Sequence, residues 1–189
     1  MTERSSPSDT GRGPRIVRVG THALKAGSGT KLWTRLSQHK GQPGTGSGNH
    51  RGSIFRLIVG AALSNRGGYE YPTWGKCNTA SRDVRAGERV LECEVSRVLL
   101  NMPFLWLSLQ DEAGPQSLRG LIERNSIALL SNYNKTPLDP PSQGWLGRHS
   151  DREKVRRSGL WNSNHVDESY DPGFLDEIDR RISAAGSSS

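Results

Sequence analysis

The apolar residues of this chain are gathered into a few short segments, and that distribution limits the fold more than any motif. Phe55, Leu57, Ile58, Ala61, Ala62 and Leu63 form one group. Val90, Leu91, Val95, Val98 and Leu99 form a second, and Leu118, Leu121, Ile122, Ile127, Leu129 and Leu130 a third. The second group recurs at helical spacing, with Glu88, Glu92, Glu94 and Arg97 expected to face out. Helices are predicted from Ser53, over about 86–99, and over about 116–131. Pro103–Leu109 is aromatic-rich and too short for a helix, so it reads as a buried strand. Ile16–Val19, closed by Gly20, reads as another. Hydrophobic residues make up only 32% of the 189, beside 22 Gly and 10 Pro. That supports one modest core with long loops.

Punctuation in the sequence divides the chain into three parts. Residues 1–14 are small and polar, cannot offset the entropy of ordering, and are expected to be disordered. Residues 15–132 hold the core segments. In them Thr30 is the expected cap of a short helix carrying Leu32, Trp33 and Leu36, and 41–52 is a Gly-rich flexible loop. Residues 133–189 form an extension with two short helices and a disordered end. One helix is signalled by Ser150-Asp151-Arg152-Glu153 and the other by Asp171-Pro172. Trp145, Trp161 and Tyr170 are expected to pin this extension to the domain.

Net charge is +7, and residues 1–56 alone carry a net +8. A basic half beside a balanced half suits a polyanion-facing surface, although a solvated basic tail would look the same. Cys77 and Cys93 are too few for a disulfide framework, and no histidine lies near enough for a zinc site. No apolar run can span a bilayer and no signal peptide is present, so a cytoplasmic protein is expected. Gly44–Gly48 lacks the lysine of a phosphate-binding loop. Asn162-Ser163-Asn164-His165 reads as a polar turn.

Chemistry concentrates in a strand running into Gly20, followed by a loop and the helix Leu32-Trp33-Thr34-Arg35-Leu36-Ser37-Gln38-His39. Arg35 and His39, four apart, share one face of that helix. Glu123 sits within the later core helix and Asn132 at its end. This order resembles the second half of the GIY-YIG nuclease signature, where a Tyr-Ile-Gly strand leads into a helix with an arginine and often a histidine four residues on. The resemblance covers 15–132. It implies an α+β fold, a small antiparallel sheet flanked by helices, with a helical C-terminal extension.

The resemblance also implies a divalent-metal-dependent DNA endonuclease. Glu123 would hold Mg²⁺ or Mn²⁺ together with waters and substrate oxygens. Arg35 would grip the scissile phosphate, and His39 would orient or deprotonate the attacking water or contact the phosphate. Asn132 matches the family's asparagine, with Asn134 as the alternative. Arg18, Lys31, Lys40, His50 and Arg51 would follow the DNA backbone. Arg18 replaces the tyrosine of the second element, and residues 1–14 offer no counterpart of the first strand. A truncated or degenerate site is therefore expected, and the alternative is a non-catalytic nucleic-acid-binding protein of the same fold.

Overall fold

The computed structural model describes residue 3 and residues 13–42 and 44–186. The disorder expected for most of 1–14 and for the extreme C-terminus falls outside these residues. Among them are six α-helices: α1 (Leu32–Lys40), α2 (Ile54–Gly67), α3 (Arg82–Leu100), α4 (Leu118–Leu130), α5 (Glu153–Ser158) and α6 (Gly173–Gly186). Single 3₁₀ turns cover His50–Gly52 and Leu146–His149.

Hydroxyl caps start the three core helices. Ser53 accepts from Arg56 N–H, Ser81 from Val84 N–H and Ser117 from Gly120 N–H, each satisfying a donor that the first helical turn leaves open. The expected Thr30 cap is displaced by one residue, and Lys31 caps α1 without a side-chain bond.

α2 is the centre of the molecule. Ile58, Val59 and Ala62 are buried against Leu91, Val95 and Leu99 of α3. Trp145, Val155 and Trp161, from beyond residue 132, close the same core. Each fully buried branched side chain contributes roughly 1.5–3 kcal/mol. Trp74 packs on α2 so closely that a Cβ at Gly60 would lie 2.1 Å from its ring, which only glycine allows.

Three expectations are overturned. The antiparallel sheet is absent: the described residues contain an isolated bridge between Gln42 and Ser47, and the fold is helical. The segment 15–19 is extended, but side chains replace most of the ladder a partner strand would supply. Trp161 N–H donates to Val17 O, while Arg15 donates to Gly159 O and Arg18 to Trp161 O, both at 2.8 Å. The Asn162 carboxamide spans both Val19 N–H and Val19 O.

Pro103–Leu109 is not a buried strand, since Leu105 is 96% and Trp106 68% exposed. Glu88 and Glu92 do not face out. They are 2% and 4% exposed on α3, because cationic partners from residues 50–56 reach them there.

Candidate functional site

The core of the site is set by one buried arginine. Arg56 is fully buried on α2. Its Nε and Nη2 bond Glu92 Oε2 on α3 at 2.9 and 2.5 Å, and its Nη1 donates to His39 O at 2.8 Å. The end of α1 is thereby tied to α2 and α3. Glu92 also accepts from His50 N–H and pairs with His50 Nδ1 at 2.9 Å. Burial opposes its ionisation, yet the hydrogen bonds from His50 and Arg56 hold its carboxyl below the ordinary range.

His39 points back from α1 onto the start of α2. Its Nδ1 lies 2.7 Å from Ser53 Oγ, and its ring meets Phe55 edge-on at 5.6 Å. Burial pushes its pKa down to about 4, with the charges of Arg18, Arg35 and Arg56 adding to the effect. The imidazole is therefore neutral at neutral pH. Above the ordinary histidine value both folded and unfolded chains leave it unprotonated, so it contributes no pH dependence there. Between about pH 6.5 and 4 only the unfolded chain takes the proton, so stability falls as the pH drops through that window. Denaturant midpoints measured across that window should show this loss, and His39→Gln should flatten it.

Arg18 lies on the extended segment with its guanidinium 4.5 Å from the centre of the Phe55 ring. Burial lowers its pKa to about 10, helped by the charge of Arg35 and opposed by that of Glu123. It remains cationic. Glu123 faces it from α4, with Oε1 accepting Thr21 N–H at 3.2 Å. Burial raises this carboxyl above its usual range, against Thr21 N–H and the charges of Arg18, His165 and Arg35. Arg18 and Arg35 thus lie within electrostatic reach of both His39 and Glu123, although three separate segments carry the four.

The other expected site residues lie elsewhere. Asn132 is a brace: its Nδ2 donates to Asp139 O and Ser158 O, and its Oδ1 accepts Leu138 N–H. It sits nine residues beyond Glu123, and a helix of that length spans about 13 Å. Asn134 accepts a hydrogen bond from Arg157. His50 is buried and stacked on Trp74 at 3.8 Å. Arg51 forms a two-pronged pair with Glu88 at 2.6 and 2.9 Å. Both are spent inside the protein. Lys31 is exposed, and the Lys40 ammonium lies 4.8 Å from the centre of the Phe104 ring.

His165 is the residue that sequence reading passed over. Its Nδ1 lies 2.7 Å from Glu168 Oε1, and no motif could have announced it, since its turn is far from 18–39 in sequence. Glu123 offers a hard oxygen donor, and among the described residues no hydrogen bond occupies its Oε2. Those residues hold no group of three or more His, Cys, Asp or Glu able to enclose a metal. A cation here would take most of its ligands from water and phosphate, as Mg²⁺ commonly does.

Two guanidinium groups, a carboxylate and an imidazole therefore share one electrostatic neighbourhood. The chain belongs to the GIY-YIG domain family, whose family model matches residues 1–188. That match reaches past the segment 15–132 and takes in the tail that completes the core. Comparison with curated proteins gives no match, and neither does comparison with solved structures. No helix among the described residues is long and apolar enough to cross a membrane.

Proposed function

We propose that the chain is a divalent-metal-dependent endonuclease that hydrolyses phosphodiester bonds in DNA. The observation that carries this reading is the placement of Arg18 and Arg35 within electrostatic reach of Glu123 and His39. Family membership points to nuclease activity, and the +7 charge of the chain suits a polyanionic substrate. Arg35 presents a planar fork of donors to the scissile phosphate, where negative charge grows in the transition state. Arg18, immobilised by Trp161 O and Phe55, adds fixed positive potential. His39, neutral and held by Ser53, serves as an oriented hydrogen-bond partner for a phosphate oxygen or water. Glu123 would hold Mg²⁺ or Mn²⁺, which supplies Lewis-acid stabilisation of the phosphate when bound.

The alternative, a DNA-binding protein without cleavage, draws on one feature: Arg18 stands where the family signature has a tyrosine. Plasmid relaxation decides between them. With Mg²⁺ or Mn²⁺ the chain is expected to nick supercoiled DNA, and chelation or Glu123→Gln is expected to stop it. Salt-dependent binding without nicking would assign the binding role. Nicking that survives Glu123→Gln would remove Glu123 from the site.

A further inference from the structure

Three exposed aromatic side chains stand in series with one lysine. Trp33 and Trp106 each keep 68% of their surface in solvent, and Phe104 keeps 38%. The Phe104 and Trp106 ring centres lie 5.9 Å apart with planes tilted by 40°. The Lys40 ammonium stands 4.8 Å from the centre of the Phe104 ring. Trp33 precedes Lys40 on α1 by about two helical turns, so both project from one stripe of the helix, roughly 10 Å apart.

Between the end of α1, the end of α3 and residues 101–106 lies an open groove of about 570 Å³, lined by Lys40, Leu100, Met102, Pro103, Phe104 and Trp106. Lys40 is the charged member of that lining, and the chain has no charged residue between Arg97 and Asp111. The groove is also set against the candidate site. From Trp33 to Arg35 the helix turns by about 200°, so Arg35 leaves α1 on the side opposite Trp33 and Lys40, one helix diameter away.

Contiguous apolar exposure of this kind marks an interaction surface, and its chemistry selects the partner. Aromatic faces interleaved with a cation match single-stranded nucleic acid, whose bases stack on the rings while phosphate meets the ammonium. A duplex hides its base faces inside the stack and would leave the rings unused. A second copy of the chain fits less well. Contact through this groove would bring two Lys40 charges together with no carboxylate in the lining to offset them.

We propose that this groove binds unpaired bases of DNA, stacked on Trp106 and Trp33, with Lys40 on the backbone between them. This rests on DNA being the substrate and narrows it to DNA with a single-stranded stretch beside the point of cleavage. One side of α1 then holds bases while the other presents Arg35 to phosphate.

The test is metal-free binding of the full chain to a labelled single strand, its blunt duplex, and the same duplex carrying a single-stranded tail. Trp106→Ala is expected to lose roughly 5- to 150-fold in affinity for the single strand and the tailed duplex, with blunt-duplex affinity held within about twofold. Trp33→Ala should weaken the same two DNAs, and Trp106→Phe, which keeps a ring, should retain most of the affinity. Lys40→Ala should reduce the slope of log affinity against log salt on the single strand by about 0.7. Thermal midpoints of the four variants should stay at the parent value. Equal single-strand affinity of the parent and Trp106→Ala would overturn the proposal. So would sedimentation showing self-association that Trp106→Ala abolishes while DNA affinity is unmoved, which would make the groove a contact between copies. Salt-dependent binding of the blunt duplex with no preference for the tail removes the groove assignment and leaves DNA as the substrate. Failure of the parent to bind any of the three DNAs removes both.

Discussion

Glu92→Ala is expected to destabilise the chain by about 3–5 kcal/mol, the cost of leaving a buried charge without its partner. Glu92 accepts from both Arg56 and His50, and Arg56 has no exposed surface through which water could compensate. Typical domains have only about 5–15 kcal/mol in total, and the core of this one is modest. The thermal midpoint should fall by on the order of 10 °C. Urea unfolding followed by circular dichroism gives the number directly. The pair Glu92→Leu with Arg56→Met should cost much less than either partner removed alone, because an apolar pair leaves no charge behind. A loss below about 1 kcal/mol in Glu92→Ala would show that the network is hydrated and that α1 is held by other means.

Arg35→Ala is expected to slow cleavage by roughly 100- to 1,000-fold, the loss typical of one donor aimed at developing charge. The fold should survive, since the only hydrogen bond its side chain makes among the described residues is to Gln38 on the same helix. Arg35→Lys should recover little, because an ammonium offers a point charge where a guanidinium offers two parallel donors. DNA binding should weaken mildly, with the slope of log affinity against log salt reduced by about 0.9. The deciding comparison is single-turnover cleavage at saturating protein against binding measured without metal. An unchanged cleavage step with weakened binding would make Arg35 a positioning contact only.

Both predictions depend on contacts that periodicity does not encode. The helical period correctly placed Leu91, Val95 and Leu99 on the buried face of α3, because their spacing follows the geometry of the helix. The same period put Glu88 and Glu92 in solvent, since it records hydrophobicity and is silent about arginines 36 or 37 residues earlier in the chain. His50 and Arg51 looked like DNA contacts for a related reason. A basic residue in a Gly-rich loop reads as surface until its carboxylate is seen.

What the sequence determined by itself is local: the start of α2 at Ser53, the periods of α2, α3 and α4, the uneven charge, and the short Arg35–His39 spacing behind Gly20. Each depends on residues within a few positions of one another, so backbone geometry and hydrogen bonding to the first helical turn suffice to express it. Only the tertiary structure decided that Val17 and Val19 bond the 161–162 segment instead of joining a sheet. It alone set Glu123 against Thr21 N–H and left Phe104 and Trp106 in solvent. Those outcomes turn on which distant group reaches a given donor or charge first, and the cost of burying a polar group unpaired is settled only when the whole chain has closed around it.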